Sequence, residues 1–478
     1  MTMVDVLLVE DEPGWAESIT RALADSAPNV TITHAQSRDS AFAELETGEF
    51  DLLICDLRLP PDDGGLDISE EHGFAVHERA AVLSPGTPCY FLTGYGTLAN
   101  LSSALAAGRQ EDLFGDGVRH ELVRYYPKAQ LPECVDAITA FAASYAHLDQ
   151  IVVEGPVAGR DAVALRIFAR RLQGTRIVAS RIGGGLSSAR TFTVRLYGDA
   201  PNDFRGAAFV KVAGSGSIQD ERTRYQRAMP AFLGAGTYAP HADDVVAGIG
   251  KSSAAFYALA EGYEQDLFDV LDRDPDTAAQ VVTRLADRLE PWLGTHQPDH
   301  VQLGTLRARR IVDAELQPHL DGTLPEQIAL VEQRPLQLRC CNQHGDLHAG
   351  NVLVNAEGIP LVIDYGDVGI APAGLDAVIL ELGLLFHPKS PLRGHEWVNP
   401  TQIRKWRDLD TYVLGCPAAP FVIACRQWAL QCATPEQVVA LAYSHALRQL
   451  KYPDVDSSIA ASVVTSCVEA LIELDGDG

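Results

Sequence analysis

The sequence predicts two bodies in series: a doubly wound α/β domain with a parallel sheet at residues 1–148, and an α+β body at residues 173–478 that starts strand-rich and ends helical. A helical connector at 149–172 joins them. Three observations carry this. Short apolar runs alternate with helix-spaced segments as far as Leu148, the beat of strands separated by crossover helices. From Ile177 onward, β-branched stretches flank a Gly/Ser tract and that alternation stops. Beyond residue 389 only Pro-interrupted helical spacing remains.

The elements follow in order. Val4–Val9 (VDVLLV) reads as a strand running into acids, Glu17–Ser26 as a helix, Val30–Ala35 as a strand and Ser40–Leu45 as a helix. Asp51–Asp56 (DLLICD), Cys89–Leu92 and Leu122–Tyr126 supply three more strands. A helix is expected at Asp161–Leu172, then strands at Ile177–Arg181, Thr191–Tyr197 and Ala208–Val212. Ser217 begins an S-x-x-D capping pattern for the next helix, and Ala254–Gly262 reads as a strand entering a glycine hinge. Helices are expected at Thr401–Leu414, Phe421–Cys432, Pro435–Leu450 and Ser457–Leu474.

Composition narrows the function classes. With 478 residues, 46% hydrophobic and 21% charged, the chain is of the globular type, which excludes disordered and collagen-like architectures. No uninterrupted apolar run spans a bilayer and no basic leader opens the sequence, so a cytoplasmic protein without a membrane partner is expected. The nine cysteines are scattered without a CxxC, the pattern of reduced core residues rather than of a zinc ribbon. Of the net charge of −26, residues 1–148 hold 24 acidic against 8 basic side chains, leaving 40 against 30 for the rest. Such a field repels phosphate backbones and argues against a nucleic-acid partner.

The informative residues sit where the first strands end. Glu10 and Asp11 close the first strand, Asp56 the third, Thr93 follows Cys89–Leu92, and Lys128 follows the last. In a doubly wound sheet these ends share one edge. Carboxylates crowded there become tolerable around a hard divalent cation, so Glu10, Asp11 and Asp56 are candidate magnesium ligands, while Thr93 and Lys128 could hold phosphoryl oxygens. With VLLVEDEP, ICDLRLP, FLTGYG and YYPK in this order, residues 1–148 resemble a response-regulator receiver domain. The resemblance implies Asp56 as phosphoacceptor, Glu10 and Asp11 with the Arg58 carbonyl as magnesium ligands, Thr93 as switch hydroxyl and Lys128 as phosphoryl partner. It also implies a histidine kinase or another protein as partner. The loop PPDDGGLDISEEHG, the long stretch from Thr93 to Lys128 and Ala129 after the lysine depart from the family pattern.

In the second body, Gly183, Gly184, Gly185, Ser187 and Ser188 lie between two strands, where backbone N–H groups can approach phosphate oxygens. Lys211 interrupts an apolar strand and needs an acidic partner, Glu221 first and Asp220 second. Glu261 and Gly262 mark a hinge whose backbone could take an adenine edge. The segment QHGDLHAGNVLVNAEGIPLVIDYGD places Asp346, then Asn351 five residues on, then Asp364 thirteen further. In-line phosphoryl transfer needs such a set, one base and two oxygen ligands.

This segment resembles the aminoglycoside phosphotransferase and choline-kinase-like branch of the protein-kinase-like fold. The resemblance implies a bilobal body, with a small lobe at 173–262 and a helical lobe at 263–478. It implies Asp346 as base, Asn351 and Asp364 as magnesium ligands, and Lys211 with the glycine loop as ATP phosphate contacts. His344 and Asp376 are expected to brace the loop, and Asp367 is either a further ligand or a turn acid. The expected activity is ATP- and Mg2+-dependent transfer to a hydroxyl of a small molecule or a protein, regulated by the receiver-like domain. The alternative is a nucleotide-binding scaffold without turnover. Neither the acceptor nor the oligomeric state is legible in the sequence.

Overall fold

The computed structural model describes residues 2–94, 109–182, 189–200, 202–320, 322 and 324–476. The chain divides into two compact units. One takes in the chain up to Arg181, the stretch ending at Ile218, and His241–Ala258; the other takes Gln219–Pro240 and the chain from Leu259 on.

In the first unit, β1 (Val4–Val9), β2 (Val30–Ala35), β3 (Leu52–Cys55), β4 (Cys89–Thr93) and β7 (Val123–Pro127) form a parallel sheet of order β2-β1-β3-β4-β7. Helices Pro13–Ser26, Arg38–Thr47, Glu70–Leu83 and Leu131–Leu148 make the crossovers and the closing element. β3 is buried on both faces, as an all-apolar LLIC run in a doubly covered parallel sheet must be. The first domain is therefore the doubly wound α/β fold expected. Between β4 and β7 the chain adds a short hairpin, β5 (Gln110–Glu111) with β6 (His120–Glu121).

The connector holds more than a helix. β8 (Val152–Glu154) precedes the helix Gly159–Arg171 and pairs in parallel with β9 (Arg176–Arg181). β9, β10 (Arg190–Tyr197), β11 (Phe204–Gly214), β12 (His241–Val245) and β13 (Ser252–Leu259) complete a six-stranded sheet of order β12-β13-β11-β10-β9-β8. Three residues of β-branched and acidic character carry too little periodicity to announce an edge strand, so β8 was not foreseen. One apolar core runs through this unit: Val6, Ile54 and Phe141 of the α/β domain join Ile167 and Phe168 of the connector helix and Val194 and Phe256 of the sheet.

The second unit opens with β14 (Gln265–Asp266) and helices Leu267–Arg273 and Pro275–Leu289. Two small sheets follow: β15 (Gln297–Gln302), β16 (Pro335–Gln343) and β19 (Gly369–Pro372) in one, β14 with β17 (Val352–Val354) and β18 (Pro360–Val362) in the other. Helices Leu375–Phe386, Ala419–Cys432, Pro435–Gln449 and Ser457–Gly476 form the body.

The single helix expected at Thr401–Leu414 is two short ones, Pro400–Ile403 and Leu409–Tyr412. Asp408 ends the first stretch by capping the second, accepting from the Thr411 N–H. The helix after β11 starts at Ser215, before the capping pattern read at Ser217. All nine cysteines are buried and free. Among the described residues one helix has a segment, Ser457–Leu474, long and apolar enough to cross a membrane; 56% of it is buried inside the fold.

Candidate functional site

The parallel sheet delivers its acids to one edge as strand order requires. Glu10, Asp11 and Asp56 each bring a carboxylate oxygen to within 4.8 Å of the others. Lys128 Nζ lies 2.8 Å from Asp56 Oδ2 and 2.9 Å from Glu10, and sits 5.2 Å above the Trp15 ring. Glu10, Asp56, Thr93 and Lys128 are all buried. Burial pushes the Glu10 carboxyl up to about 7 against the pull of its Lys128 hydrogen bond; Asp11 is also raised by burial. For Lys128 the desolvation that would lower it is outweighed by its bonds to Asp56 and Glu10, and it is raised. Three clustered acids, of which only Glu10 and Asp56 pair with the ammonium, fit a hard divalent cation, which would relieve their repulsion.

The long acidic loop after Asp56 is tied down. Leu59 and Ser69 exchange backbone hydrogen bonds, and Ser37 Oγ donates to Asp63 at 2.6 Å. Gly73 lets the next helix approach: a Cβ there would stand 2.5 Å from the Asp56 carbonyl oxygen.

The stretch after Thr93 holds a feature the sequence did not reveal. Residues 95–108 lie outside the described residues, but beyond them Phe114 is fully buried, its ring 5.3 Å from Phe141 and 5.6 Å from Tyr145. Arg170 of the connector helix donates to the Phe114 carbonyl (3.3 Å), and Arg171 bridges the Asp112 carbonyl and Asp243 of β12. A Cβ on Gly248 would meet the Leu113 carbonyl at 2.7 Å, so this segment is pressed against the turn before β13. Tyr145 donates to the Gly248 carbonyl, and Arg160 engages Asp51 and Glu49. The receiver-like domain and the six-stranded sheet are thus packed through named polar and apolar contacts.

In the six-stranded sheet Lys211 is buried on β11; Glu221, on the helix Ser215–Phe232, is also buried. Gly183, Gly184, Gly185, Ser187 and Ser188 lie outside the described residues. Glu261 and Gly262 are exposed in a turn just past β13, Gly262 with φ +95°, and the division between the units falls at Ala258/Leu259.

In the second unit β16 delivers the HGD loop. Asp376, at the first turn of Leu375–Phe386, accepts from the backbone N–H of His344 (2.7 Å) and of Gly345 (2.9 Å). The His344 ring is fully buried, its Nε2 3.0 Å from the Ile363 carbonyl. Gly345 has φ +81°, and a Cβ there would stand 2.5 Å from the Asp367 carbonyl. Asn351 Nδ2 donates to the Asp346 carbonyl at 2.9 Å, and the Asn351 carbonyl accepts from the Ile363 N–H. Asp364 holds the left-handed φ of +65°, unusual for a residue with Cβ and a mark of a site under constraint. The loop thus ties Asn351 to the Asp346 carbonyl and Ile363, beside Asp364, to the Asn351 carbonyl, and leaves the Asp346 carboxylate 40% exposed.

Two residues beside Asp346 had no sequence signal. Arg448, from the last turn of Pro435–Gln449, lies 3.8 Å from Asp346 Oδ1; Arg310 Nη1 donates to the Gly345 carbonyl at 3.1 Å. They come from segments far from the HGD motif in sequence, and an isolated arginine has no pattern.

Comparison with known proteins agrees with both halves. Residues 6–123 match the model of the response regulator receiver domain, and residues 219–391 that of the phosphotransferase enzyme family. Over 105 residues the chain is 27% identical to the transcriptional regulatory protein ZraR of Salmonella typhimurium and of Salmonella typhi, covering 22% of this chain and 21% of theirs. It therefore spans about a fifth of the length of these relatives. Among solved structures, a CheY-like receiver domain from Methanospirillum hungatei JF-1 is 23% identical, with 30% of this chain and 98% of that one covered and a TM-score of 0.22. A thermostable mutant of aminoglycoside phosphotransferase APH(4)-Ia in its apo form is 13% identical, with 63% and 95% covered and a TM-score of 0.36. The same protein in ternary complex with ADP and hygromycin B is 14% identical, with 63% and 94% covered and a TM-score of 0.36. The strand order and site geometry thus stand beside two family matches, residues 6–123 to the response regulator receiver domain and residues 219–391 to the phosphotransferase enzyme family.

Proposed function

We propose that the chain is an ATP- and Mg2+-dependent phosphotransferase that moves the γ-phosphoryl group to a hydroxyl acceptor under the control of its receiver domain. The observation that carries the reading is the HGD loop: an exposed Asp346 carboxylate on a backbone pinned by Asp376 and Asn351. In the proposed step the acceptor oxygen bonds to Pγ, the bond from Pγ to the ADP oxygen breaks, and the hydroxyl proton passes to Asp346. Asn351 and Asp364 are the residues to hold magnesium, which when bound neutralises the transferring phosphates. Lys211 is assigned to the α and β phosphates. The receiver site is read as accepting a phosphoryl group on Asp56, with Glu10 and Asp11 for the cation and Lys128 and Thr93 for the phosphoryl oxygens.

Radiolabelled ATP with the full chain tests the reading. Asp346→Asn should bind nucleotide as the wild type does and lose turnover by roughly 100-fold or more, the contribution of a positioned base. Full activity in that variant refutes the base assignment. Nucleotide binding without transfer in the wild type replaces the enzyme by a nucleotide-binding scaffold.

A further inference from the structure

From the second unit we infer that the acceptor carries an anionic group, a carboxylate or a phosphate, held beside Asp346 by Arg310 and Arg448. This rests on the phosphotransferase reading and deepens it.

The Arg310 guanidinium has unspent hydrogen-bonding capacity, while Arg448 is also held by Tyr452. Arg310 spends Nη1 on the Gly345 carbonyl, yet its Nε and Nη2 are buried and have no hydrogen-bond partner. Among the described residues no carboxylate lies within ion-pair distance of it. Arg448 reaches Asp346 only at 3.8 Å, too long for a hydrogen bond. Were these arginines present only to neutralise the aspartate, a direct bidentate pair would be expected, as between Arg426 and Glu381 at 2.6 and 2.9 Å elsewhere in this unit. Burying an unmet guanidinium donor is costly, so a ligand oxyanion is the natural partner.

Two further carboxylates face this site: the charges of Asp367 and Asp376 act with that of Asp346 on Arg310, and Asp367 also acts on Arg448. His348 lies 3.9 Å from Asp346, and its ring is 4.4 Å from that of His387. Burial holds His387 down to about 3, and His445 is lowered well below its usual range. His348 and His445 each bury an Nδ1 without a partner. A buried arginine fork with unmet donors suits a planar carboxylate or a tetrahedral phosphate.

The test uses the full chain with its nucleotide site filled by AMP-PNP and magnesium. Sodium sulfate and sodium acetate are titrated calorimetrically at constant ionic strength. We expect saturable binding of one of them, weakened roughly tenfold or more in Arg310→Gln and in Arg448→Gln. Arg310→Lys and Arg448→Lys keep the charge, lose the fork and should fall between, which guards against a misfolded glutamine variant. Sulfate alone points to a phosphate-bearing acceptor, acetate alone to a carboxylate. No saturable binding of either anion, equal binding in all variants, or an equal loss of AMP-PNP affinity overturns the inference. In a second arm, glycerol, glycerate, glycerol 3-phosphate and choline compete as acceptors with labelled ATP. Preference for choline also overturns it. Anion binding with no transfer to any alcohol counts against the phosphotransferase reading and leaves the anion site standing.

Discussion

Removing Arg160 should loosen the receiver domain from the connector helix, by an amount the structure allows to be worked out. Asp51 precedes β3 with its side chain 2% exposed. It accepts from the Asp5 N–H (2.9 Å), the Tyr145 hydroxyl (3.3 Å) and Arg160 Nη1. Burial raises its carboxyl, and Arg160 is the charge that opposes this. Arg160→Ala leaves that carboxylate desolvated, a loss of about 3–5 kcal/mol for breaking a buried pair from one side. The second partner, Glu49, is 47% exposed and adds at most about 1 kcal/mol. Removing both charges in Arg160→Ala with Asp51→Asn should recover most of the loss, giving a coupling of about 2 kcal/mol. Urea unfolding of the full chain at pH 7, followed by circular dichroism and fluorescence, reads all four corners of the cycle.

The sign with pH is fixed as well. A carboxyl whose folded pKa is raised contributes stability at low pH and loses it as pH rises through that value, so the Arg160→Ala deficit should shrink on acidification. A cost under about 1 kcal/mol, strict additivity of the two changes, or a deficit that grows in acid would refute the reasoning.

The remaining predictions concern titration and coupling. His348 and His387 have folded values of about 4 and 3, below the value near 6.5 of a free imidazole, so the stability they carry is present above about 6.5 and lost as pH falls toward 4 and 3. Discounted for partial exposure, the pair should cost about 2–3 kcal/mol between pH 7 and pH 5, and His387→Asn should remove roughly half of that dependence; identical pH–stability curves for variant and wild type would contradict it. Beryllofluoride with magnesium should change phosphotransfer in the wild type and not in Asp56→Ala, because the chain after Thr93 runs into the Leu113–Phe114 anchor on the connector helix. Equal turnover with and without the analogue would make the receiver a docking module instead.

Much of this protein was legible because its chemistry is local in sequence. The acids at strand ends needed only the alternating pattern to be placed on one edge, since parallel crossovers align carboxyl ends whatever lies between them. Asp346, Asn351 and Asp364 were readable for a related reason: all lie within one 19-residue stretch of the chain, from loop to strand end.

What tertiary structure alone decided came from residues distant in sequence. β8 is too short to show a period, and Phe114 is one aromatic in a polar insertion; each is defined only by the surface it packs against. Arg310 and Arg448 converge on Asp346 because separate helices end there, and no spacing in the chain encodes that meeting. The sequence therefore singled out the candidate residues of the two sites, which lie in local motifs. The fold decided which other charges face that chemistry, because packing brings together side chains that no local periodicity relates.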